Sequence, residues 1–433
     1  MRFTRRSFLG TAAAAAGSTA ILTAMGRPAF AQETRIRHFW WGNPDRDERT
    51  LEAIRIFNEK HPDIEVIGET LGFADYFTRL TTQIAGGNMP DAIQMGYGVM
   101  FEYIERGALL PLDEYIGNQL DLTHIDQSAI DAGTVDGKLY ALSIGANSHM
   151  AMYNKRLYEE AGIVPGEDFD PYGWTYDDVK RIGVAIKEAT GVAGTDDNTA
   201  DYQNFSDFAA QAGGELYTAE GEYGPTQEIV EQYWTIWKDI RDAGATPPAQ
   251  HSAGLAAVSE LSRMGVVTGD SATTYLWSNQ LVGVQALMED ELGAAMYPNL
   301  PEMIPGSIIQ PSQFICLSRD TVDAEATVTY MNAFVNDMDM TAALGLERGI
   351  PANSQVREML QPTLEGAAAT SVEFFDNIQG KTMDLHPPQP SGANEVEQTF
   401  ERIAVGVLLE QQSIPDAAAD FIRQAEAILR RAS

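Results

Sequence analysis

The stretch Ile84-Ala85-Gly86-Gly87-Asn88-Met89-Pro90-Asp91 ends a helix and begins a strand, and it gives the first indication of the fold. Residues 75–85 have a helical pattern that the two glycines end. Residues 91–95 then form a short apolar run, which is typical of a buried strand. The chain therefore passes directly from a helix to a buried strand at this point.

The residues before this stretch repeat the same alternation. Residues 36–41 and 64–67 are apolar runs that predict two further strands, and a helix begins between them near Asp45. Strands that alternate with single helices predict an α/β fold with doubly wound, mainly parallel sheets. Ligands of such sheets bind beyond the carboxyl ends of the strands, so the residues that follow each predicted strand are the first candidates for a site.

The N-terminus has the pattern of an export signal. Thr4-Arg5-Arg6-Ser7-Phe8-Leu9 matches a twin-arginine sequence, and Ala29-Phe30-Ala31 offers a cleavage site for a signal peptidase. The apolar stretch between them, residues 10–22, is shorter than the roughly 20 residues that a spanning helix needs. We therefore expect residues 1–31 to be a twin-arginine signal peptide and the mature chain, from Gln32, to be periplasmic and not membrane-inserted.

Composition excludes several classes of partner. The chain has 433 residues and a formal net charge of −33, which repels nucleic acid and anionic lipid headgroups. The roughly 400 residues that remain without the leader suggest two or more cores. Cys316 is the single cysteine, so no internal disulfide can form, and its apolar neighbours predict a buried strand position.

Signals for catalysis and for metal binding are weak. The six histidines show no metal-ligand spacing, and no Gly-x-Ser-x-Gly motif is present. Gly380-Lys381-Thr382 resembles the end of a phosphate-binding loop, but Phe375 occupies the place of the required earlier glycine. We expect a protein without catalytic residues, cofactor or metal. A secreted carbohydrate-active enzyme, either a lyase or a glycosidase, stays open as the alternative.

Several short motifs, taken in order, resemble those of the extracellular solute-binding proteins that serve sugar importers, the maltose-binding-protein-like family 1. The resemblance runs from about residue 35 to residue 429, and no single motif is specific. The motifs are Ile84 to Asp91, Gly107 to Asp113, Asp136 to Leu142, Met152 to Leu157, Glu160 to Gly162, Trp174 to Asp178, Trp277 to Gln280 and Arg348 to Pro351.

The resemblance implies a two-lobe periplasmic-binding-protein fold with a ligand cleft between the lobes. Residues 32–146 plus 296–335 would form lobe one, and residues 149–293 plus 338–433 would form lobe two. Crossovers are expected near residues 147–148, 294–295 and 336–337. The implied function is that of a monomeric periplasmic subunit of an ABC importer, which captures a carbohydrate by hinge closure and delivers it to the membrane permease. A chemoreceptor adaptor with the same fold is a further alternative.

Aromatic and short polar side chains near the predicted cleft are candidates for carbohydrate contacts. Aromatic rings can cover the C–H face of a sugar, and short polar groups can hydrogen-bond its hydroxyls. Core packing is the alternative role for the rings, and turn or cap chemistry is the alternative for the polar groups. The candidates are Trp41, Tyr76, Tyr97, Trp277, Asn43, Asn147, Ser148, Ser278 and Asn279.

Two arginines are candidates for reading a negative charge on the ligand. Arg348 precedes a Gly-x-Pro turn near the predicted cleft, and Arg46 lies at the first helix start, where backbone N–H groups also favour an anion. A salt bridge to one of the many carboxylates is the alternative role for each arginine. If they bind the ligand, the carbohydrate would be acidic, such as a uronate.

Overall fold

The computed structural model describes residues 34–218, 221–255, 260–301, 306–387 and 389–432, and the predicted signal peptide lies outside these ranges. Nine strands are present in the described residues: β1 Thr34–Trp41, β2 Ile64–Leu71, β3 Ala92–Met95, β4 Thr134–Val135, β5 Lys138–Leu139, β6 Ala141–Asn154, β7 Thr273–Trp277, β8 Leu292–Ala295 and β9 Ile309–Leu317.

Seventeen α-helices surround these strands in the same ranges, and none of them combines the length and apolarity that a membrane crossing requires. They are α1 Pro44–Lys60, α2 Phe73–Ala85, α3 Tyr97–Glu105, α4 Gln127–Ala132, α5 Lys155–Glu160, α6 Tyr176–Thr190, α7 Tyr202–Gln211, α8 Gln227–Asp242, α9 Ala249–Leu255, α10 Gly265–Thr268, α11 Leu281–Gln285, α12 Ala324–Asn336, α13 Met338–Leu344, α14 Ser354–Leu360, α15 Gly366–Ile378, α16 Ala393–Leu408 and α17 Ile414–Ala432.

The first three long strands form the parallel part of the sheet. β1 pairs in parallel with β2 on one side and with β3 on the other, as the alternation of strands and helices predicts. β9 returns late in the chain and pairs antiparallel with β3. Cys316 lies in β9 and is fully buried, which confirms the predicted buried strand position.

The long strand β6 joins two parts of the molecule. Its first half pairs antiparallel with β9, and its second half pairs antiparallel with β7 and β8. The register shifts around Gly145, where an added Cβ would lie 2.9 Å from the carbonyl oxygen of Arg348. Ala146 and Ile350 exchange two backbone hydrogen bonds of 2.7 and 2.9 Å beside this point. Glycine therefore allows the 348–350 turn to pack directly against β6.

Four apolar clusters cover the faces of these strands, two in each lobe. Trp40 and Phe39, which are neighbours in β1, point into opposite clusters of the first lobe, as the alternation of a strand requires. Met150 and Ala151 of β6 do the same in the second lobe. The mixed α/β class and the two-lobe architecture are thus confirmed, with a buried core on each face of each set of strands.

Strand direction in the second lobe differs from the expectation of a mainly parallel sheet. β7 and β8 both run antiparallel to β6, which enters the second lobe as a continuation of a first-lobe strand. One parallel neighbour is present, because Ala193 bridges in parallel to Ser271 just before β7. Hydrophobic runs show that a strand is buried but carry no record of its direction, so the sequence could not distinguish these arrangements.

Packing also differs from the predicted lobe division at two places. Met296 and Tyr297, which we assigned to lobe one, pack in the second-lobe clusters. Met340 and Leu344, which we assigned to lobe two, pack with α1 residues in a first-lobe cluster. Each of these short segments packs its apolar side chains against one core. In both cases this is the core of the other lobe from the one that chain order suggests.

Candidate ligand-binding site

A cavity of about 260 Å³ opens where β6, β7 and β9 meet, and we call it the junction cavity. Four of its seven lining residues lie within β6 or β9 and the other three end or follow β7, so the sheet itself positions the side chains. Three of the seven, Asn147, Trp277 and Asn279, are sequence-predicted candidates. The lining residues are Asn147, Trp277, Asn279, Gln280, Gln310, Pro311 and Ser312.

Trp277 forms the aromatic wall of the junction cavity. It is the last residue of β7, and the register places it directly opposite His149 of β6. The two ring centroids lie 4.0 Å apart, and Tyr297 stacks on the other side of the imidazole at 5.1 Å. The backbone N–H of Trp277 donates to Oε1 of Gln280 at 3.1 Å. The indole is half-buried and held in place, which suits a plate against which a sugar ring can pack.

A buried hydrogen-bonded pair, His149 and Asp207, packs against this wall. His149 and Asp207 are both almost fully buried, and Nδ1 of His149 lies 2.6 Å from Oδ2 of Asp207. Burial alone would raise the pKa of Asp207, but the attraction of His149, its hydrogen bond and a smaller contribution from His386 hold that pKa below its usual value. Because the carboxylate stays ionised, Nδ1 of His149 must carry the proton that it donates. Sequence spacing gave no signal for this pair, because its members lie 58 residues apart.

Several buried polar atoms in and around this region have no hydrogen-bond partner in the described part of the chain. Unpaired buried polar groups are costly, so each is a position where a ligand hydroxyl or a water would be favourable. The atoms are Oδ1 of Asn147, Nε2 of His149, Oδ1 of Asp207, the hydroxyl oxygen of Tyr297, Oε1 of Gln313 and Nε2 of His386. Nε2 of His386 does approach Oδ1 of Asp207, at 3.5 Å, without forming a hydrogen bond.

The first lobe reaches this region through Tyr97. Tyr97 is the first residue of α3, directly after β3, and its hydroxyl donates to the carbonyl oxygen of His386 at 3.2 Å. Trp41, at the end of β1, is half-buried and makes edge contacts with Phe73 and Tyr76. Both residues therefore lie beyond the carboxyl ends of first-lobe strands, where the sequence predicts them.

Four other candidates have structural partners. Tyr76 is fully buried and donates to the carbonyl oxygens of Gln94 and Phe39, so we withdraw it as a ligand contact. Asn43 is exposed and caps α1 through Oδ1, which accepts from the N–H of Arg46 at 3.0 Å. Ser148 and Ser278 are buried, and the N–H of Ser148 donates to Oγ of Ser278. The alternative roles in core packing and capping account for these four side chains.

Both candidate arginines form ion pairs inside the protein. Nε of Arg46 donates to both carboxylate oxygens of Glu347, at 2.9 and 3.0 Å. Arg348 is 4% exposed and donates to Oγ1 of Thr50 and Oε1 of Gln94. Burial and the nearby charge of Arg46 lower the pKa of Arg348 to about 10, although Glu347 opposes the shift. The prediction that Arg348 reads a ligand charge is therefore not supported by its position.

A second and larger cavity, of about 390 Å³, lies within the second lobe, and we call it the acidic cavity. It contains five carboxylates, Asp196, Asp197, Asp201, Glu397 and Glu401, together with Asn198, Ser252 and Tyr202. Sequence reasoning missed it. The spacing of Glu397 and Glu401, four residues apart on a helix, places both carboxylates on one side and was the available signal.

The carboxyl groups of the acidic cavity differ in whether a positively charged or hydrogen-bonding side chain lies beside them. Asp197 pairs with Arg241 at 2.7 Å, and Asp196 accepts from the hydroxyls of Ser271 and Thr274. Burial, together with the nearby charges of Glu397 and Asp201, raises the pKa of Glu401 to about 7. The cavity therefore concentrates negative charge that only part of its own lining neutralises.

The fold agrees with comparisons to known proteins. The family model for bacterial extracellular solute-binding proteins matches residues 52–370, which is more than half of the chain. The chain belongs to this family. The structure of this solute-binding protein is similar to that of a family 1 extracellular solute-binding protein from Alicyclobacillus acidocaldarius, with a TM-score of 0.85. The two sequences are 27% identical, and the match covers 92% of this chain and 98% of the other.

This solute-binding protein is also similar to curated relatives over part of its length. It is 26% identical over 236 residues to a putative binding protein of Brucella abortus, covering 53% of this chain and 55% of that one. It is 24% identical over 198 residues to an arabinooligosaccharide-binding protein of Halalkalibacterium halodurans, covering 45% and 43%. The match thus spans about half the length of these relatives. A periplasmic oligogalacturonide binding protein of Yersinia enterocolitica, with 23% identity, a TM-score of 0.75 and coverage of 92% and 100%, shows the fold alone.

Proposed function

We propose that this solute-binding protein is the substrate-binding subunit of an ABC importer and that it captures a carbohydrate. The observation that carries the proposal is the junction cavity, where the Trp277 indole adjoins Asn279 and Asn147, whose Oδ1 is buried and has no hydrogen-bond partner in the described residues. A rigid aromatic plate beside convergent polar groups suits a sugar, which has apolar C–H faces and a ring of hydroxyls. The relative named for arabinooligosaccharide binding supports the same ligand class.

Capture would occur by hinge closure of the two lobes, and the closed form would be the one that the permease recognises. The packing described above supports a revised division, in which residues 296–301 and 306–308 belong to lobe two and residues 338–349 to lobe one. The crossings would then lie at 145–148 in β6, at the start of β9, and at the 348–350 turn that contacts β6. Because these three crossings between the lobes lie beside one another, they can bend together as a hinge.

The remaining features of the proposal follow from the sequence and from the family. The twin-arginine pattern supports export to the periplasm, and the family is extracellular. We propose a monomer that binds its ligand stoichiometrically and does not turn it over. The binding proteins of the family supply the support for a non-catalytic role.

Ligand-dependent unfolding tests the proposal. The purified protein would be melted in the presence of neutral oligosaccharides, polyols, uronates and amino sugars. A ligand that binds only the folded state adds about 4 kcal/mol at a thousandfold excess over Kd. We expect at least one carbohydrate class to raise the melting temperature. We also expect one ligand molecule to bind per protein molecule. If no carbohydrate raises it, the proposed ligand class is wrong.

A further inference from the structure

The acidic cavity has a charge that its own lining does not balance. Glu397 and Glu401 form no ion pair with any described residue, whereas Asp197 has Arg241. Two basic residues line the cavity, Arg263 and His251, and His251 lies 3.2 Å from a different carboxylate, that of Asp270. Asp201 caps α7 through Oδ1 and adds a further negative charge close to the two glutamates. A cationic group on a ligand would therefore be attracted to this cavity.

Neutral polar groups in the same lining point to more than a simple cation. Asn198 is 5% exposed and Ser252 is 8% exposed, and both line the cavity. Nδ2 of Asn198 and Oγ of Ser252 have no hydrogen-bond partner in the described residues. An amide donor and a hydroxyl are suited to hydroxyl groups, and leaving either of them buried and unpaired is costly. The lining thus offers carboxylates for a positive charge and neutral groups for hydroxyls.

A metal ion does not suit this lining. Among the residues that the structure describes, no group of three or more His, Cys, Asp or Glu side chains is placed to hold a metal. The volume of about 390 Å³ falls in the range of pockets that hold organic ligands, roughly 300–1,000 Å³. The cavity is thus matched in size to an organic molecule that has both a positive charge and hydroxyl groups.

The acidic cavity and the junction cavity are lined by successive residues of β7. Leu276 lines the first and Trp277, the next residue of β7, lines the second. Asp201 of the acidic cavity is also close enough to interact electrostatically with His149, which packs against Trp277.

We propose that the acidic cavity is a subsite for the ammonium group of an amino sugar, with Glu397 and Glu401 facing the cation and with Asn198 and Ser252 binding ring hydroxyls. The inference rests on the proposed function, because it names the class of carbohydrate that the protein carries. It replaces the acidic sugar that the sequence suggested through Arg348, since that arginine is buried and paired.

Isothermal titration at pH 7 with four probes tests this inference. The probes are a glucosamine disaccharide, its N-acetylated form, a neutral glucose disaccharide and putrescine, which has the amines without the ring. We expect the glucosamine disaccharide to bind at least tenfold more tightly than the other three. A Glu397→Gln/Glu401→Gln variant should lose at least tenfold of that affinity. Glu395→Gln is the matched control, because Glu395 lies on the same helix and pairs with Arg431 at the surface.

Three results would overturn the inference. Equal affinity for the glucosamine disaccharide and its N-acetylated form would show that no positive charge is read. Equal affinity for putrescine would show that the sugar ring is not recognised. Unchanged affinity in the double variant would show that the ammonium group does not bind in the acidic cavity. If neutral sugars bind and Trp277→Ala abolishes that binding, the proposed function stands while this inference fails. If no carbohydrate binds at all, both fail.

Discussion

The indole of Trp277 and the imidazole of His149 lie on directly paired positions of β7 and β6, with their ring centroids 4.0 Å apart. The imidazole in turn is fixed by Asp207 at 2.6 Å. This series of contacts links an aromatic wall of the junction cavity to a charge buried in the second lobe. The orientation of the wall therefore depends on the buried hydrogen bond between His149 and Asp207, and that dependence can be tested.

Asp207→Asn should lower stability at neutral pH by about 1–3 kcal/mol, because it removes the charge that holds the His149 proton. The pKa of Asp207 is lowered in the folded state from its usual 3.8. Its contribution is therefore complete above pH 4 and is lost as the pH falls through the lower folded value. The free energy of unfolding in urea would be measured for the variant and for the unaltered protein at pH 7 and at pH 3. The difference between the two proteins should be larger at pH 7. An equal difference at both values would contradict the assignment.

Glu401 should make the protein less stable as the pH rises from about 4.5 to about 7. The folded pKa is raised from 4.5 to about 7, so the folded state holds a proton that the unfolded chain has already lost. Glu401→Gln should flatten this part of the stability profile, measured by urea unfolding at intervals of half a pH unit. The surface variant Glu395→Gln should keep the slope. If Glu401→Gln leaves the dependence of stability on pH unchanged, the pKa of the Glu401 carboxyl is not raised by burial.

Arg348→Ala should destabilise the protein by about 3 kcal/mol, because it breaks a buried network with Thr50 and Gln94 beside Glu347. Carbohydrate affinity at a temperature where the variant is folded should change less than twofold. Arg55→Ala removes exposed ion pairs with Glu52 and Glu59 and should leave stability almost unchanged, because water screens exposed charges. Urea unfolding and calorimetric titration distinguish the two roles, and a large loss of affinity with unchanged stability would restore Arg348 as a ligand contact.

Tyr97→Phe tests the contact between the lobes. Its hydroxyl donates to the carbonyl oxygen of His386, and one such hydrogen bond contributes about 0.5–1.5 kcal/mol. If closure depends on this contact, affinity should fall about two- to tenfold, and small-angle scattering should show a larger radius of gyration for the ligand-bound variant. Tyr172→Phe, which alters a hydroxyl that accepts from Asn377, is the matched control. Unchanged affinity and dimensions would show that Tyr97 plays no part in closure.

Local patterns predicted much of the first lobe. The apolar runs before Asn43 and Gly96 are strands β1 and β3, and the side chains that follow them lie at one edge of the sheet. The two-lobe α/β fold came from the resemblance and is confirmed. The direction of β7 and β8 was not predictable, because antiparallel and parallel buried strands share the same apolar pattern.

The candidate site was predictable only in part. Trp277, Asn147 and Asn279 were chosen as candidates and line one cavity, because the end of β7 lies beside the middle of β6. Tyr76 and Arg348 were chosen for residue type, and the sequence does not show that the hydroxyl of Tyr76 faces Gln94 or that Arg348 faces Thr50. The Asp207 and His149 pair and the acidic cavity depend on contacts between distant segments. Such contacts have no local signature, so only the structure identifies them.

The most direct test of the account is calorimetric titration of Trp277→Ala with the carbohydrate that stabilises the unaltered protein most. We expect at least a tenfold loss of affinity, since the variant removes the aromatic wall of the junction cavity while Asn147 and Gln310 remain. Tyr172→Ala, which removes an aromatic ring that lines neither cavity, should keep its affinity within twofold. Unchanged affinity in Trp277→Ala would show that the carbohydrate does not bind in the junction cavity.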